Sequence, residues 1–328
     1  MGGGNSAGRA TIRLAGSLPP HRGGIRRARL RLAVRGLLVT AGTPPAARGA
    51  VFPDRPDVLR GRVAVVIGGT SGIGRAIAAG LADAGAEVVP TSRRDEAVRA
   101  AVQEVCASQT RRLSQAVDVA SRDSIDRLRD GVLATFGRVD ILVNAAGIHL
   151  RQESLSVSLA QWNEVLAINL SGTFLACQSF APHLLDRGWG RIINIASLGS
   201  YVGLYEATAY SVSKAGVLAL TRCLGAEWAA RGVCVNALVP GVFVTPINRR
   251  LLEGTPRLQE ILLRTPMRRT GRLSELVGAA LFLASESASF MTGQTIVVDG
   301  GFLAAGITGN PYGAPDNDAR AADEEARE

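Results

Sequence analysis

Residues 62–85 read RVAVVIGGTSGIGRAIAAGLADAG: a short apolar run, a glycine-rich turn, and a segment of helical periodicity ending at a glycine. A strand that feeds through a glycine turn into a helix restricts the chain to folds in which the two alternate. The unit recurs. AEVVPTS (86–92) precedes a helix from about Asp95, LSQAVDV (113–119) precedes one from Ser121 to Phe136, and VDILVNAAG (139–147) ends on small residues. A longer helix runs through WNEVLAINLSGTFLACQSFAPHLL. After it come the strand RIINIAS (191–197), a helix from about Thr208 to Ala230, the strand VCVNALV (233–239), a helix near 273–285 and the strand QTIVVDG. Strands apolar on both faces belong in a parallel sheet covered by helices on each side. The expectation is a single doubly wound α/β domain of about seven strands over residues 56–306, with cofactor and substrate sites together.

The net charge of +9 has to be located before it is interpreted. Residues 1–55 hold ten arginines and one acid, Asp54, which is the whole excess, so the remainder is balanced and gives no case for a nucleic-acid partner. That basic segment is rich in Gly, Pro and Arg, with LLVT (37–40) as its apolar patch, and reads as a disordered extension. An arginine-rich, acid-poor start also has the pattern of a transit peptide, and organelle targeting stays open. Residues 307–328 are polar and acidic and read as a second disordered tail. No apolar run approaches the roughly 20 residues that span a bilayer, so no membrane span is expected. Cys106, Cys177, Cys223 and Cys234 lack CxxC spacing and read as free thiols of a reducing, cytoplasmic setting. His21, His149 and His183 lie too far apart in sequence for a local metal motif, and no metal is expected.

The turn GGTSGIG (68–74) sits where a phosphate-binding loop belongs, between strand and helix. Glycines admit a pyrophosphate close to the backbone, and the following helix offers it free N–H groups and a partial positive end. A dinucleotide is the implied cofactor. Its adenosine ribose would lie at the end of the second strand, where an acid favours NAD(H) and an arginine favours the 2′-phosphate of NADP(H). Ser92 stands there, followed by Arg93 and Arg94, so NADP(H) is favoured over NAD(H). Asp95 nearby argues the other way.

Of the 37 basic residues, Lys214 is the one lysine, four residues after Tyr210 in a segment of helical pattern. Tyr210 and Lys214 therefore share a helix face, and Ser197 ends the strand before them. Ser197 with Tyr210-x-x-x-Lys214 resembles the active site of the short-chain dehydrogenase/reductase family, a Rossmann-type fold, and Asn169 matches the asparagine of that family's tetrad. Gly68, Gly72 and Gly74 match its TGxxxGxG, with Ile67 in place of the threonine and Thr70, Ser71 and Ile73 filling the loop. Asn144, Ala145 and Gly147 in NAAG are similar to its NNAG. Asp118 and Val119 resemble the pair beside the adenine, and Pro240, Gly241 and Thr245 match PGxxxT, which borders the nicotinamide.

The resemblance implies a hydride transfer coupled to proton transfer at the substrate oxygen. A neighbouring ammonium draws a tyrosine toward the phenolate, so Lys214 is expected to lower the Tyr210 pKa and to reach the nicotinamide ribose. Ser197 would hold the substrate oxygen, and Asn169 would complete a water-linked relay to solvent. Arg151 follows the loop bordering the site, where it either grips a substrate carboxylate or is a solvated surface arginine. The stretch from Thr265 to Gly306 looks like the closing portion of gluconate 5-dehydrogenase-like members. An NADP(H)-dependent sugar-acid dehydrogenase is the first expectation, and a 3-oxoacyl-carrier-protein reductase the second. A cofactor-binding regulatory protein without turnover is the third. The family packs its long helices in homo-oligomers, so a tetramer or dimer is implied.

Overall fold

The computed structural model describes residues 57–306 except Ile247 and Glu253; the extensions expected at 1–55 and 307–328 lie outside the described residues. The first apolar run becomes β1 (Val63–Ile67), with every residue buried. Period-2 alternation divides it between two cores: Val63, Val65 and Ile67 join one, Ala64 and Val66 the other. After α1 (Gly72–Asp83) come β2 (Glu87–Thr91), α2 (Asp95–Val105) and α3 (Arg122–Phe136). Then follow β3 (Ile141–Asn144), α4 (Leu159–Leu166), α5 (Gly172–Asp186), β4 (Gly190–Ile195), α6 (Thr208–Trp228) and β5 (Val233–Pro240). Two short helices, α7 (Arg249–Leu252) and α8 (Pro256–Arg264), lead to α9 (Ser274–Ala284) and β6 (Thr295–Val298).

The strands form one parallel sheet in the order β2-β1-β3-β4-β5-β6. Ile77, Leu81, Leu276 and Leu283 of α1 and α9 cover one face. Ile125, Leu128, Phe180, Leu184 and Leu224 of α3, α5 and α6 cover the other, giving the doubly wound architecture. Among the described residues there are six strands where about seven were expected. Residues 113–119 run alongside the end of β2, but Val117 N–H donates only to the Ser92 carbonyl at 2.9 Å, just past the end of β2, and one backbone bond does not make a ladder.

Local signals set the helix ends. Ser121 caps α3 by accepting from Ser124 N–H, and Gly137, at φ 71°, closes it in the left-handed conformation. Ser158 and Gln161 form a reciprocal capping box at the start of α4. The single long helix expected after 159 is interrupted by a π turn at Ala167–Ser171. The whole stretch Leu159–Asp186, 28 residues at mean hydropathy 1.2, is long and apolar enough to cross a membrane by length and composition only. It is a core helix: 56% of its apolar window is buried, and Phe180 and Leu184 pack on the sheet.

At the amino ends of the strands, fully buried Asp140 accepts from Val63 N–H at 2.9 Å and pairs with Arg138 and Arg62. Arg62 and Arg191 lie over the Trp189 ring, 3.5 and 4.5 Å from its centroid, and both pair with Glu286. This cluster closes one end of the sheet. The opposite, carboxyl end stays open where the connections from β1 and β3 diverge, the position at which such sheets take ligands.

Candidate active site

Four segments meet at that open end. Gly68 leaves β1 at φ +84°, and a side-chain carbon there would lie 2.5 Å from Ala146 N; one on Gly74 would lie 2.2 Å from the Gly68 carbonyl oxygen. Only glycine permits this packing of turn, strand and helix. Ser71, the N-cap of α1, makes no side-chain cap bond, which leaves the first-turn N–H groups of Gly72, Ile73 and Gly74 without a side-chain acceptor. Gly72 faces Thr245 across the cleft, with its would-be Cβ 3.4 Å from the threonine Cβ. Thr70 Oγ1 donates to Ser92 Oγ at 2.9 Å, tying the glycine loop to the end of β2, where Arg93 and Arg94 are exposed. These features fit a dinucleotide: a close backbone approach, unsatisfied helix donors for its phosphates, and arginines at the ribose end.

The other expected cofactor residues divide between lining and support. Ala145 N–H bonds the Ile67 carbonyl at 2.8 Å, and Gly147 opens toward both Asn169 and Lys214. Asn144 points inward: its amide donates to Asn194 Oδ1 at 2.9 Å and to Cys177 Sγ at 3.3 Å, while its Oδ1 is buried without a partner. Asp118 is exposed, and one carboxylate oxygen accepts from Ala120 N–H in a local turn. Val119 is buried against Gly172. Pro240 ends β5, and Gly241 turns so close to Asp299 that a Cβ would lie 2.5 Å from the Asp299 Cα. Thr245 is held through its N–H and hydroxyl by Asn248.

Ser197, Tyr210 and Lys214 come together. Ser197 follows β4, accepts from Gly199 N–H at 3.2 Å, and lies close enough to Tyr210 to lower its pKa. Lys214, one turn along α6, is buried, donates to the Ile195 carbonyl at 2.7 Å and lies 6.0 Å from the Tyr210 ring centroid. Burial pushes the lysine down from 10.5 to about 8. Burial also raises the Tyr210 pKa, with the Ser197 side chain pulling the other way. The lowering expected from Lys214 is thus absent: desolvation dominates the tyrosine, and the ammonium is spent on a backbone carbonyl.

The π turn explains Asn169. Its side chain accepts from Ile148 N–H at 2.8 Å and donates to the Ile148 carbonyl at 2.9 Å and to Ser213 Oγ at 3.0 Å. Ser213 in turn donates to the Tyr210 carbonyl at 2.6 Å. The amide therefore fastens the loop after β3 to α6; its bonds run to that loop and to Ser213, and none runs to Lys214.

Two residues escaped the sequence reading. His149 lies on Tyr210, ring centroids 4.6 Å apart and tilted by 45°, with Nδ1 buried and unpartnered. Burial first, then the guanidiniums of Arg257 and Arg151, lowers its pKa, so the ring is neutral at pH 7. Arg257 comes from α8, in a segment whose sequence holds no motif. Arg151 Nε pairs with Glu206 at 2.7 Å, and Glu206 sits at φ 59°, with its carbonyl accepting from Gln152 N–H. That left-handed turn clasps the loop after β3 onto the segment leading into Tyr210.

A parallel sheet open at its carboxyl end, a glycine loop fitted to a dinucleotide and a Ser–Tyr–Lys cluster beside it define a nicotinamide-nucleotide-dependent oxidoreductase. A family model described as enoyl-(acyl carrier protein) reductase matches residues 68–303. A D-threitol dehydrogenase of Mycolicibacterium smegmatis is 39% identical over 244 residues, covering 74% of this chain and 94% of the relative. A 2-dehydro-3-deoxy-D-gluconate 5-dehydrogenase of Escherichia coli is 39% identical over 247 residues, covering 75% and 97%. The crystal structure of a gluconate 5-dehydrogenase from Burkholderia cenocepacia, in complex with NADP and tartrate, superposes with a TM-score of 0.73 at 36% identity, covering 76% and 99%. The chain belongs to the short-chain dehydrogenase/reductase family. Within it, the protein is an NAD(P)-dependent alcohol dehydrogenase or ketoreductase.

Proposed function

We propose that the protein interconverts a sugar acid of the gluconate type and its keto form, with NADP(H) preferred over NAD(H). The observation that carries the substrate class is the Arg257 guanidinium, acting with Arg151 on the His149 ring that lies against Tyr210. With Arg151 held by Glu206, the Arg257 guanidinium near the His149 ring is the charge that suits a carboxylate carried by the substrate. The names of the gluconate-related relatives support the same class. For the cofactor, Ser92 at the end of β2 with exposed Arg93 and Arg94 supports the 2′-phosphate, and Asp95, the first residue of α2, complements that helix's own N-terminus.

When bound, NAD(P)(H) accepts or supplies the hydride. The protein handles the proton. In the oxidation direction Tyr210 takes it from the substrate hydroxyl while Ser197 holds that oxygen by a hydrogen bond. Lys214, brought down to about 8 by burial, can accept a proton and pass it on near neutral pH. Asn169 acts by holding the Ile148 backbone and, through Ser213, the first turn of α6. Glycines 68, 72 and 74 hold the pyrophosphate, and Thr245 borders the nicotinamide.

Exposed Phe174 on α5 and Val212 on α6 support a homo-oligomer, tetramer or dimer, packed through these helices. Free cysteines, three of them buried, support a cytoplasmic setting. The description of the matching family model favours one second reading, an acyl-carrier-protein substrate. Purified protein assayed with both cofactors against sugar acids, polyols and acetoacetyl thioesters separates the two. Turnover of a sugar acid with NADP+ above all other pairs is expected; acetoacetyl-thioester reduction with no sugar-acid activity would overturn the proposal.

A further inference from the structure

His149 takes no part in the mechanism above, yet its position is closely constrained. The residue before it has both backbone groups bonded by Asn169, which fixes where the loop enters the cleft. The ring then rests on the ring of the tyrosine that handles the proton. Of its two nitrogens, Nδ1 is buried with no partner, whereas Nε2 makes no hydrogen bond among the described residues and is open to solvent. A neutral imidazole carries one proton, and a buried N–H without an acceptor is the arrangement proteins avoid most. The proton therefore resides on Nε2, and His149 presents a neutral donor on a ring in contact with Tyr210.

Polar atoms on two touching rings can engage oxygens on adjacent carbons of one substrate. Tyr210 takes the reacting oxygen. We propose that His149 is a specificity-determining residue whose Nε2–H donates a hydrogen bond to the substrate oxygen on the carbon next to the reacting one, selecting vicinally hydroxylated substrates. The inference rests on the sugar-acid reading and deepens it. Neutrality suits the role: Arg257 already supplies charge that suits a carboxylate, and a neutral donor discriminates hydroxyl from hydrogen without attracting further anions.

The test compares wild type, His149→Phe, which keeps an aromatic ring on Tyr210 but removes the donor, and His149→Gln, which restores one. Each is assayed with the sugar acid best turned over in the panel above and with its analogue deoxygenated beside the reacting carbon; for D-gluconate oxidised at C5, these are the 4-deoxy and 6-deoxy compounds. In wild type, kcat/KM should favour the hydroxylated compound. His149→Phe should reduce that preference about tenfold or more, chiefly through KM for the hydroxylated compound, with the deoxy analogue changed less than about threefold and partial recovery in His149→Gln. Equal losses on both compounds would make the ring a mere prop for Tyr210 and overturn the inference, as would an unchanged preference. A wild type inactive on every sugar acid overturns the substrate reading and this inference together, a pattern distinct from either.

Discussion

Replacing Lys214 by methionine should make the folded protein more stable while abolishing turnover, and the stability gain should depend on pH in a defined way. Burial alone moves the lysine from 10.5 to about 8. At about 1.36 kcal/mol per pH unit, holding its ammonium in the interior costs about 3 kcal/mol at pH 7. The sign follows from proton counting. Below pH 8 the lysine is charged in both folded and unfolded chains, and the full penalty applies. Between 8 and 10.5 the folded chain has released its proton while the unfolded chain retains it, so wild-type stability rises with pH and the penalty falls below about 1 kcal/mol by pH 10. Methionine has similar length and no charge, and it also abandons the bond to the Ile195 carbonyl, a loss of about 1–3 kcal/mol that is nearly the same at each pH. The quantity to read is therefore the change in the Lys214→Met increment between pH 7 and pH 10, about 2.5 kcal/mol. For a domain of this size that is about 5–10 °C in Tm, measured by thermal unfolding of both proteins at equal concentration. An increment equal at both pH values would refute the reasoning.

Other perturbations separate the remaining roles. Lys214→Arg retains the charge but replaces a compact ammonium by a planar fork, and kcat should fall by a factor on the order of 10² or more; near-wild-type kcat would mean that charge alone matters. Arg93→Ala should shift the ratio of kcat/KM for NADP+ and NAD+ toward NAD+ by about tenfold, and an unchanged ratio would remove Arg93 from the 2′-phosphate site. Asp140→Ala strips Val63 N–H and two arginines of a buried acceptor, with a loss of about 3 kcal/mol seen in thermal unfolding. Its arginine partners are partly exposed, so a change within about 0.5 kcal/mol would mean that water takes over all three bonds.

The alternation of strands and helices was legible because each strand is apolar on both faces and each glycine turn sits between a strand and a helix. Residues 113–119 had the composition of a strand but not the neighbour: pairing is a property of what lies alongside, and only Val117 reaches a backbone partner at the end of β2. The cofactor loop and the Ser197–Tyr210–Lys214 spacing were legible since local backbone geometry dictates both. What Asn169 does was not, because its work depends on a π turn that brings its amide to Ile148, 21 residues away in sequence. His149 and Arg257 stood out in no motif; they matter through a loop and a distant helix converging on Tyr210, a relation carried by tertiary packing. The expected pKa effect of Lys214 failed for a similar reason, as spacing predicts proximity but not burial.

The measurement that bears most directly on the proton-transfer site is the turnover of Tyr210→Phe with the preferred sugar acid and NADP+, alongside NADPH binding followed by cofactor fluorescence. Loss of the hydroxyl should lower kcat by a factor on the order of 10² to 10⁴ with NADPH affinity within about threefold of wild type. A kcat near that of wild type with binding intact would contradict the assignment of Tyr210 as the group that moves the proton.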